Sequence, residues 1–262
     1  MNDFYVGYLP KAPVSLARFV RKVILVLGLL AVTAALALVV GQMPFANSAF
    51  EYGKVRKFEG ILETRPYPTL LVARPGQVGQ EERYSRYLLV APGKHGADDL
   101  VADFDGKQVR LQGQLIYREG GVMVEIEPGS VSFLGTSPAN QETARDLGPV
   151  TLTGEIVDSK CYLGVMNPGK GKVHRDCASR CLSGGIPPIF VTLNGEDQFL
   201  LVGPDGNAVG RDALREFVAE PITIQGELLR RGESRLLRID VGALRQSPNK
   251  LEVSLRSAGL RR

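Results

Sequence analysis

The chain has 262 residues, of which 44% are hydrophobic and 23% are charged, and its formal net charge is +4. This composition excludes an intrinsically disordered chain, and the length accommodates a membrane segment plus two domains of about 90 to 110 residues each. The basic excess lies almost entirely in residues 1–40, because residues 41–262 carry 28 Lys and Arg against 27 Asp and Glu. We therefore expect no nucleic-acid partner.

The first predicted elements are a cytoplasmic lead-in, residues 1–22, and a transmembrane helix, residues 23–40. The helix would contain 18 residues without a charge, which span about 27 Å and approach the thickness of the bilayer core. Because four basic side chains precede it, the positive-inside rule places the bulk of the chain in the periplasm, anchored in the bacterial inner membrane. The apolar stretch 4–10 predicts contact with lipid headgroups or with another membrane-protein subunit. A cleaved signal peptide, with 46–48 as the small-residue site, is the competing interpretation.

The second half of the chain repeats the first. Two matches lie at offsets of 112 and 113 residues, whereas a match further upstream has an offset of only 94. The second copy has therefore gained about 18 residues between its first and later strands, within 161–185. The matched segments are 58–63 with 152–157, 88–92 with 200–204, and 109–115 with 222–228.

Alternating apolar positions in both copies predict short strands, and the stretches 96–104 and 210–218 each predict a helix between the third and fourth strand. The predicted fold class is mainly β, with one N-terminal transmembrane helix followed by two tandem OB-like small β-barrels of the order β-β-β-α-β-β. Such barrels support unrelated functions, so the fold alone does not indicate an activity. The predicted boundaries are 50–134 for the first barrel, 135–148 for the linker, 149–243 for the second barrel and 244–262 for a basic tail.

The inserted segment 161–185 contains all three cysteines and one of the two histidines. If residues 173–182 form a short helix, His174, Cys177 and Cys181 lie at i, i+3 and i+7 on one face. Cys161, at the end of the first strand of the second barrel, could close on that face as a fourth ligand.

Three thiolates and one imidazole form a ligand set that suits tetrahedral zinc, and the soft sulfur ligands with Met166 nearby also suit copper(I). The sequence therefore predicts a zinc or copper site. Asp158 could hydrogen-bond the ring nitrogen of the histidine that faces away from the metal and so orient the ring. We nevertheless expect Asp158 to be an exposed charge at the end of a strand.

Two other interpretations of the cysteines remain open. In an oxidising compartment Cys161 would pair with Cys177 or Cys181, and the protein would be a metal-free structural or interaction subunit with a disulfide-stapled loop. An enzyme that exchanges thiols and disulfides is the third interpretation, although the Cys-x2-Cys pattern of a thioredoxin-type fold is missing. No Ser/His/Asp set, carboxylate pair or phosphate-binding loop stands out, so we expect a non-enzymatic protein.

The cysteine segment and its flanks resemble a group of uncharacterised bacterial exported or membrane-anchored proteins with small β-barrel domains. The resemblance covers about residues 150–195 and implies that the Cys/His pattern is a unit, without indicating what it binds. Together these observations predict an accessory protein of a membrane-bound complex, with redox complexes among the candidates. The residues that carry the resemblance are Gly154–Cys161, His174–Ala178, Cys181, Gly184 and Pro187–Pro188.

Overall fold

The computed structural model describes residues 13–41, 48–74, 84–136, 143–195 and 197–246. The chain divides into two units, residues 1–45 and residues 46–262, and the second unit contains both barrels. Most of the predicted lead-in and most of the basic tail lie outside the described residues.

The described part of the first unit, residues 13–41, forms the helix α1, which comprises Val14–Gly41. This helix has 28 residues and a mean hydropathy of 3.0 in its most apolar 18-residue window, and none of that window is buried inside the protein. It is long and apolar enough to cross a membrane, and the predicted span, residues 23–40, lies within it. It starts earlier than the prediction because Arg18, Arg21 and Lys22 continue the helical conformation.

The first barrel is closed by five strands in the order β2-β3-β4-β6-β5, and β1 and β7 each pair with β5. The barrel pairs are antiparallel except β4 with β6, which run parallel. Between β4 and β5 the helix α2, Asp98–Val101, continues as a 3-10 turn, Ala102–Phe104. The strands are β1 Ser48–Phe50, β2 Arg56–Glu63, β3 Thr69–Ala73, β4 Tyr84–Val90, β5 Lys107–Arg118, β6 Gly121–Ile126 and β7 Ser132–Thr136.

The second barrel repeats this connectivity, with five strands closed in the order β8-β9-β10-β12-β11 and a parallel pair between β10 and β12. The prediction of two small β-barrels is therefore confirmed. The helix α3, Arg175–Ser183, lies in the insertion between β8 and β9, and α4, Val241–Gln246, follows the last strand. The strands are β8 Arg145–Asp158, β9 Pro188–Thr192, β10 Gln198–Val202, β11 Ile222–Arg231 and β12 Ser234–Arg238.

One predicted helix is shorter than expected. The stretch 210–218 contains only the 3-10 turn Arg215–Phe217. Val218 forms a parallel bridge with Ile156, and the Ala219 amide donates a hydrogen bond to the Ile156 carbonyl at 2.8 Å. These contacts draw the chain onto β8 and out of the helical conformation.

The repeated glycine near the start of each copy has a steric cause. A Cβ at Gly60 would lie 2.3 Å from the Leu71 carbonyl oxygen, and a Cβ at Gly154 would lie 2.1 Å from that of Val191. The two glycines occupy matching places in β2 and β8, opposite the strands β3 and β9. Close packing of these strands therefore requires glycine in both copies.

Each barrel has its own apolar core, and two further apolar clusters join the two barrels. In the larger joining cluster Ile116 and Met123 of the first barrel pack with Tyr162 and Ile186 of the second. Cys161 and Cys181 belong to the same cluster. The cysteine segment is therefore part of the interface between the barrels.

Candidate metal centre

The insertion folds as a π-helical turn, a 3-10 turn and the helix α3, and this arrangement brings Cys161, Cys177 and Cys181 together. Cys161 opens a π-helical turn, Cys161–Val165, immediately after β8. The helix α3 carries Cys177 and Cys181 one turn apart, so their side chains project from the same face. The helical prediction for 173–182 is confirmed for most of its length, and Gly184 and Gly185 follow the last residue of the helix.

The three sulfur atoms form a compact group. They all lie within 4.8 Å of one another, and the Sγ atoms of Cys161 and Cys177 are 3.9 Å apart. All three cysteines, which belong to the described residues, are free thiols, so the structure does not contain the disulfide that the oxidising compartment led us to consider. Cys161 and Cys181 are buried, with 3% and 1% of their surface exposed, and Cys177 is half-buried.

The sulfur spacing fits a metal ion. For a metal–sulfur bond of about 2.3 Å, tetrahedral geometry places two sulfurs about 3.8 Å apart, and trigonal geometry places them about 4.0 Å apart. The 3.9 Å between Cys161 and Cys177 lies between these values. The spacing therefore suits a thiolate-bound metal and does not distinguish tetrahedral zinc from trigonal copper(I).

His174 lies beside this group and is held by Asp158. Its Nε2 atom is 2.8 Å from the Asp158 Oδ2 atom, and both side chains are buried, with 2% and 0% of the residue surface exposed. The Asp158 Oδ1 atom also accepts a hydrogen bond from the Cys161 amide at 2.8 Å. Asp158 was expected to be an exposed charge, and this expectation is wrong because the insertion folds over the end of β8.

The other ring nitrogen of His174 has no hydrogen-bond partner. The Asp158 carboxylate faces the Nε2 atom, and the buried Nδ1 atom is unpartnered among the described residues. An unpaired buried nitrogen destabilises a folded protein. A histidine that donates one N–H to a carboxylate and offers the other nitrogen is the usual arrangement of a metal-binding imidazole.

The ring of His174 does not, however, lie within 4.8 Å of all three sulfurs. A ring nitrogen of His174 lies within 4.8 Å of the Cys161 sulfur and an Asp158 oxygen, whereas the group formed by the three sulfurs does not include it. The three cysteines therefore converge as expected, and His174 adjoins their group through Cys161. His174 belongs to a 3-10 turn, Lys172–His174, in which successive side chains are rotated further than in the α-helix that follows.

A lysine from the first barrel covers the thiols. The Nζ atom of Lys94 lies 2.8 Å from the Cys177 sulfur and 3.6 Å from the Cys181 sulfur. The hydrogen bond to Cys177 raises the pKa of Lys94. A hydrogen bond with Cys181 raises the pKa of Cys161, and burial raises that pKa further. The same hydrogen bond lowers the pKa of Cys181, and the positive charge of Lys94 lowers it as well. The cluster thus stabilises a thiolate at Cys181.

The loop that presents Lys94, residues 91–96, is fixed to the second barrel by a second lysine. Lys160 is buried, forms an ion pair with Glu125, and donates to the carbonyls of Ala91 and Gly93 at 2.9 and 2.7 Å. All three hydrogens of this ammonium group therefore have acceptors in the first barrel. The site is built from both barrels, although all the predicted ligands come from the second.

Two remaining residues stand apart from the site. Met166, which was considered as a soft ligand, has 43% of its surface exposed. His95 is also exposed, in the glycine-containing loop 91–96. The sequence contains no signal for Lys94, because its closeness to the cysteines depends on how the barrels pack.

No protein-family model, no curated protein and no solved structure matches this chain. Its function therefore has to be inferred from the geometry of the site.

Proposed function

We propose that this protein is a membrane-anchored metal-binding protein of the bacterial cell envelope. In this proposal Cys161, Cys177 and Cys181 bind one zinc or copper(I) ion, and His174 is the fourth ligand. The observation that carries the proposal is the convergence of three free thiols within 4.8 Å of one another, of which the Cys161 and Cys177 sulfurs are 3.9 Å apart, a spacing that suits a shared metal ion.

His174 supplies the fourth ligand in this proposal. The Nδ1 atom of His174 is buried and unpartnered, and Asp158 holds the opposite nitrogen. A ring nitrogen of His174 lies within 4.8 Å of the Cys161 sulfur. Lys94 then supplies a positive charge beside a metal–thiolate group that is itself negatively charged, since three thiolates outweigh either ion.

The structure favours this function over thiol chemistry. An exchanging thiol must be accessible to its substrate. Cys161 and Cys181 are almost fully buried, and Lys94 lies over Cys177. The disulfide-stapled interaction loop is the second candidate, but it requires a sulfur–sulfur bond that is absent from the three described cysteines.

We further propose that α1 anchors the protein in the inner membrane, with the N-terminus in the cytoplasm and the two barrels in the periplasm. The apolar surface of α1, of which no residue is buried against the protein, supports this proposal. The strand order, the parallel third and fifth strands and the short helical segment after the third strand support an OB-like identity for both barrels.

The partner we propose is another subunit of a membrane-bound complex, with redox complexes among the candidates. The single span and the apolar stretch 4–10, which lies outside the described residues, support it. Isolation in mild detergent tests this point. A co-purifying membrane subunit is the expected result, and a lone monomer would count against the accessory role.

Metal content tests the central proposal. The full chain is purified in mild detergent without added metal or reductant, and zinc and copper are counted by mass spectrometry together with titratable thiols. We expect about one ion per chain. Cys177→Ser and His174→Ala should lose it, whereas Lys172→Ala, an exposed change in the same insertion, should retain it.

Two results would oppose the proposal. One is a metal-free chain that also fails to bind added Zn²⁺ or Cu⁺ at micromolar concentration. The other is a metal ion that persists in Cys177→Ser, which would place it elsewhere in the chain. Loss of one thiol pair to oxidation in the metal-free chain would instead support the stapled-loop candidate.

A further inference from the structure

A second site is suggested by a cavity between the two barrels, on the side of the π-helical turn where Leu163 projects. Its volume is about 570 Å³, within the range of cavities that enclose small organic ligands. Its walls come from both barrels, including Tyr117 and Arg118 of the first and Ser159 and Phe199 of the second. None of the predicted metal ligands lines it.

Two polar groups in this cavity have no partner in the part of the chain that the structure describes. The Ser159 side chain lines the cavity and is completely buried, yet its Oγ atom forms no hydrogen bond. The Nε atom of Arg118 is likewise buried and unpartnered. Each group can donate a hydrogen bond, and each belongs to a different barrel. A ligand that presents acceptor oxygens would satisfy both.

One arginine in the cavity stands out by its charge. Of the four arginines that line it, Arg86 pairs with Glu63 and Arg235 pairs with Asp197, and the cavity's one glutamate, Glu233, pairs with Arg74. Among the described residues Arg118 has no carboxylate partner, and its guanidinium lies 4.1 Å from the centre of the Tyr162 ring. A ring that fixes a guanidinium in place prepares it to bind an anion at little cost in side-chain entropy. The four arginines are Arg86, Arg118, Arg230 and Arg235.

The rest of the wall is apolar. Leu88 and Val122 of the first barrel face the cavity together with Leu163 and Phe199 of the second. Such a surface favours a hydrocarbon or aromatic body over a bare inorganic ion. The ligand chemistry that fits is therefore an acidic group attached to an apolar body.

We propose that the cavity between the barrels binds a small organic carboxylate, whose acidic group contacts Arg118 and Ser159 and whose apolar body lies against Leu163 and Phe199. Binding there joins the two barrels through the ligand. This inference is independent of the metal site, because it depends on neither the sulfurs nor His174.

Calorimetric titration of the full chain in mild detergent tests the proposal, with a detergent-only blank. The probes are 1-naphthoate and dodecanoate, which distinguish an aromatic acid from a fatty acid, and 1-naphthalenemethanol, which has the aromatic body without the charge. We expect saturable binding of at least one of the two acids at one molecule per chain. Whichever acid binds more tightly is then compared with its neutral alcohol, 1-naphthalenemethanol for naphthoate and dodecanol for dodecanoate. The alcohol should bind at least about tenfold more weakly than its acid.

Variants separate ligand contact from folding. Arg118→Gln and Ser159→Ala should each weaken binding of the acid by about tenfold. Ser159→Ala should not lower the unfolding midpoint of the ligand-free chain, because its hydroxyl has no hydrogen bond there to lose. Arg110→Gln is the matched control, since Arg110 pairs with Glu59 at the surface and does not line the cavity.

The proposal would be overturned by absence of saturable binding for both acids, or by equal affinity for each acid and its alcohol. It would equally be overturned if Ser159→Ala and Arg110→Gln both bound the acid with the affinity of the parent chain.

Discussion

The Nζ atom of Lys94 lies 2.8 Å from the Sγ atom of Cys177, although the two residues belong to different barrels. This contact makes the candidate metal centre a property of the paired barrels. A cation this close to a thiolate stabilises the negative charge, and a metal–thiolate group at the same place would also benefit from it.

Lys94→Met should weaken binding of Zn²⁺ or Cu⁺ by about 10 to 100-fold, the usual effect of removing a group that supports metal ligands. The measurement is competition with a chromophoric chelator at pH 7. Lys172→Met is the matched control, because Lys172 is exposed in the 3-10 turn of the same insertion. Equal affinities in the two variants would show that the Lys94 charge does not act on the metal.

Asp158→Asn should lower metal affinity by a similar factor of about 10 to 100, because the neutral amide holds the His174 ring less firmly and no longer strengthens its free nitrogen as a donor. Asp176→Asn serves as the control, since Asp176 is an exposed acid in the first turn of α3. If Asp158→Asn bound metal like the parent chain while Cys177→Ser did not, His174 would be a structural histidine and the site would consist of sulfurs alone.

Metal affinity should fall as the pH falls. Hydrogen bonding with Cys181 and burial raise the pKa of Cys161, so this thiol is protonated in the metal-free protein near neutral pH and must release its proton when metal binds. One displaced proton lowers the apparent affinity about tenfold for each unit of decreasing pH. Chelator competition at pH 8 and pH 6 measures the slope, and a pH-independent affinity would contradict thiolate ligation by Cys161.

The strand plan was predictable from sequence because the chain contains two copies of it. The matched segments of the two halves lie in corresponding strands, in β2 and β8, in β4 and β10, and in β5 and β11. The helix that carries Cys177 and Cys181 was also predictable, since its pattern is local and two glycines follow it.

What sequence could not predict depends on contacts between distant parts of the chain. Lys94 and Cys177 are 83 residues apart, and only the packing of one barrel on the other brings them together. The sequence predicts that Asp158 is an exposed acid at the end of a strand, whereas in the structure the insertion buries it. The distances from His174 to the Cys177 and Cys181 sulfurs do not follow from α-helical spacing, because His174 ends a 3-10 turn before α3 begins.

Gly184→Ala should destabilise the pairing of the barrels by about 1 to 3 kcal/mol, as overpacking typically does. A Cβ at Gly184 would lie 1.8 Å from the Lys94 carbonyl oxygen, so the 91–96 loop would have to move away from α3. Gly210→Ala is the control, because the nearest atom to its Cβ would be 3.6 Å away. Thermal unfolding measures the stability, and alkylation of Cys177 by iodoacetamide should become faster in Gly184→Ala alone. An unchanged alkylation rate would show that the loop does not shield this thiol.

Tyr67→Phe should destabilise the folded chain by about 1 to 3 kcal/mol, because it removes a hydroxyl that links the two barrels. The buried Tyr67 hydroxyl donates to the Leu201 carbonyl at 2.8 Å and accepts from the Val209 amide at 3.1 Å, and both groups would lose their partner. Tyr52→Phe is the matched control, since Tyr52 has 80% of its surface exposed.

The effect of Tyr67→Phe should also depend on pH in the alkaline range. Burial raises the pKa of Tyr67 above its ordinary value, so the phenol ionises near pH 10 in the unfolded chain and remains protonated at higher pH in the folded one. The stability that the neutral phenol contributes is complete below about pH 10 and is lost as the pH rises beyond it. The difference in unfolding free energy between the parent chain and Tyr67→Phe should therefore narrow above pH 10, when both are measured by denaturant unfolding in the same detergent. A difference that stays constant from pH 8 to pH 11 would mean that the Tyr67 hydroxyl is not held in the protonated state by the pairing of the barrels.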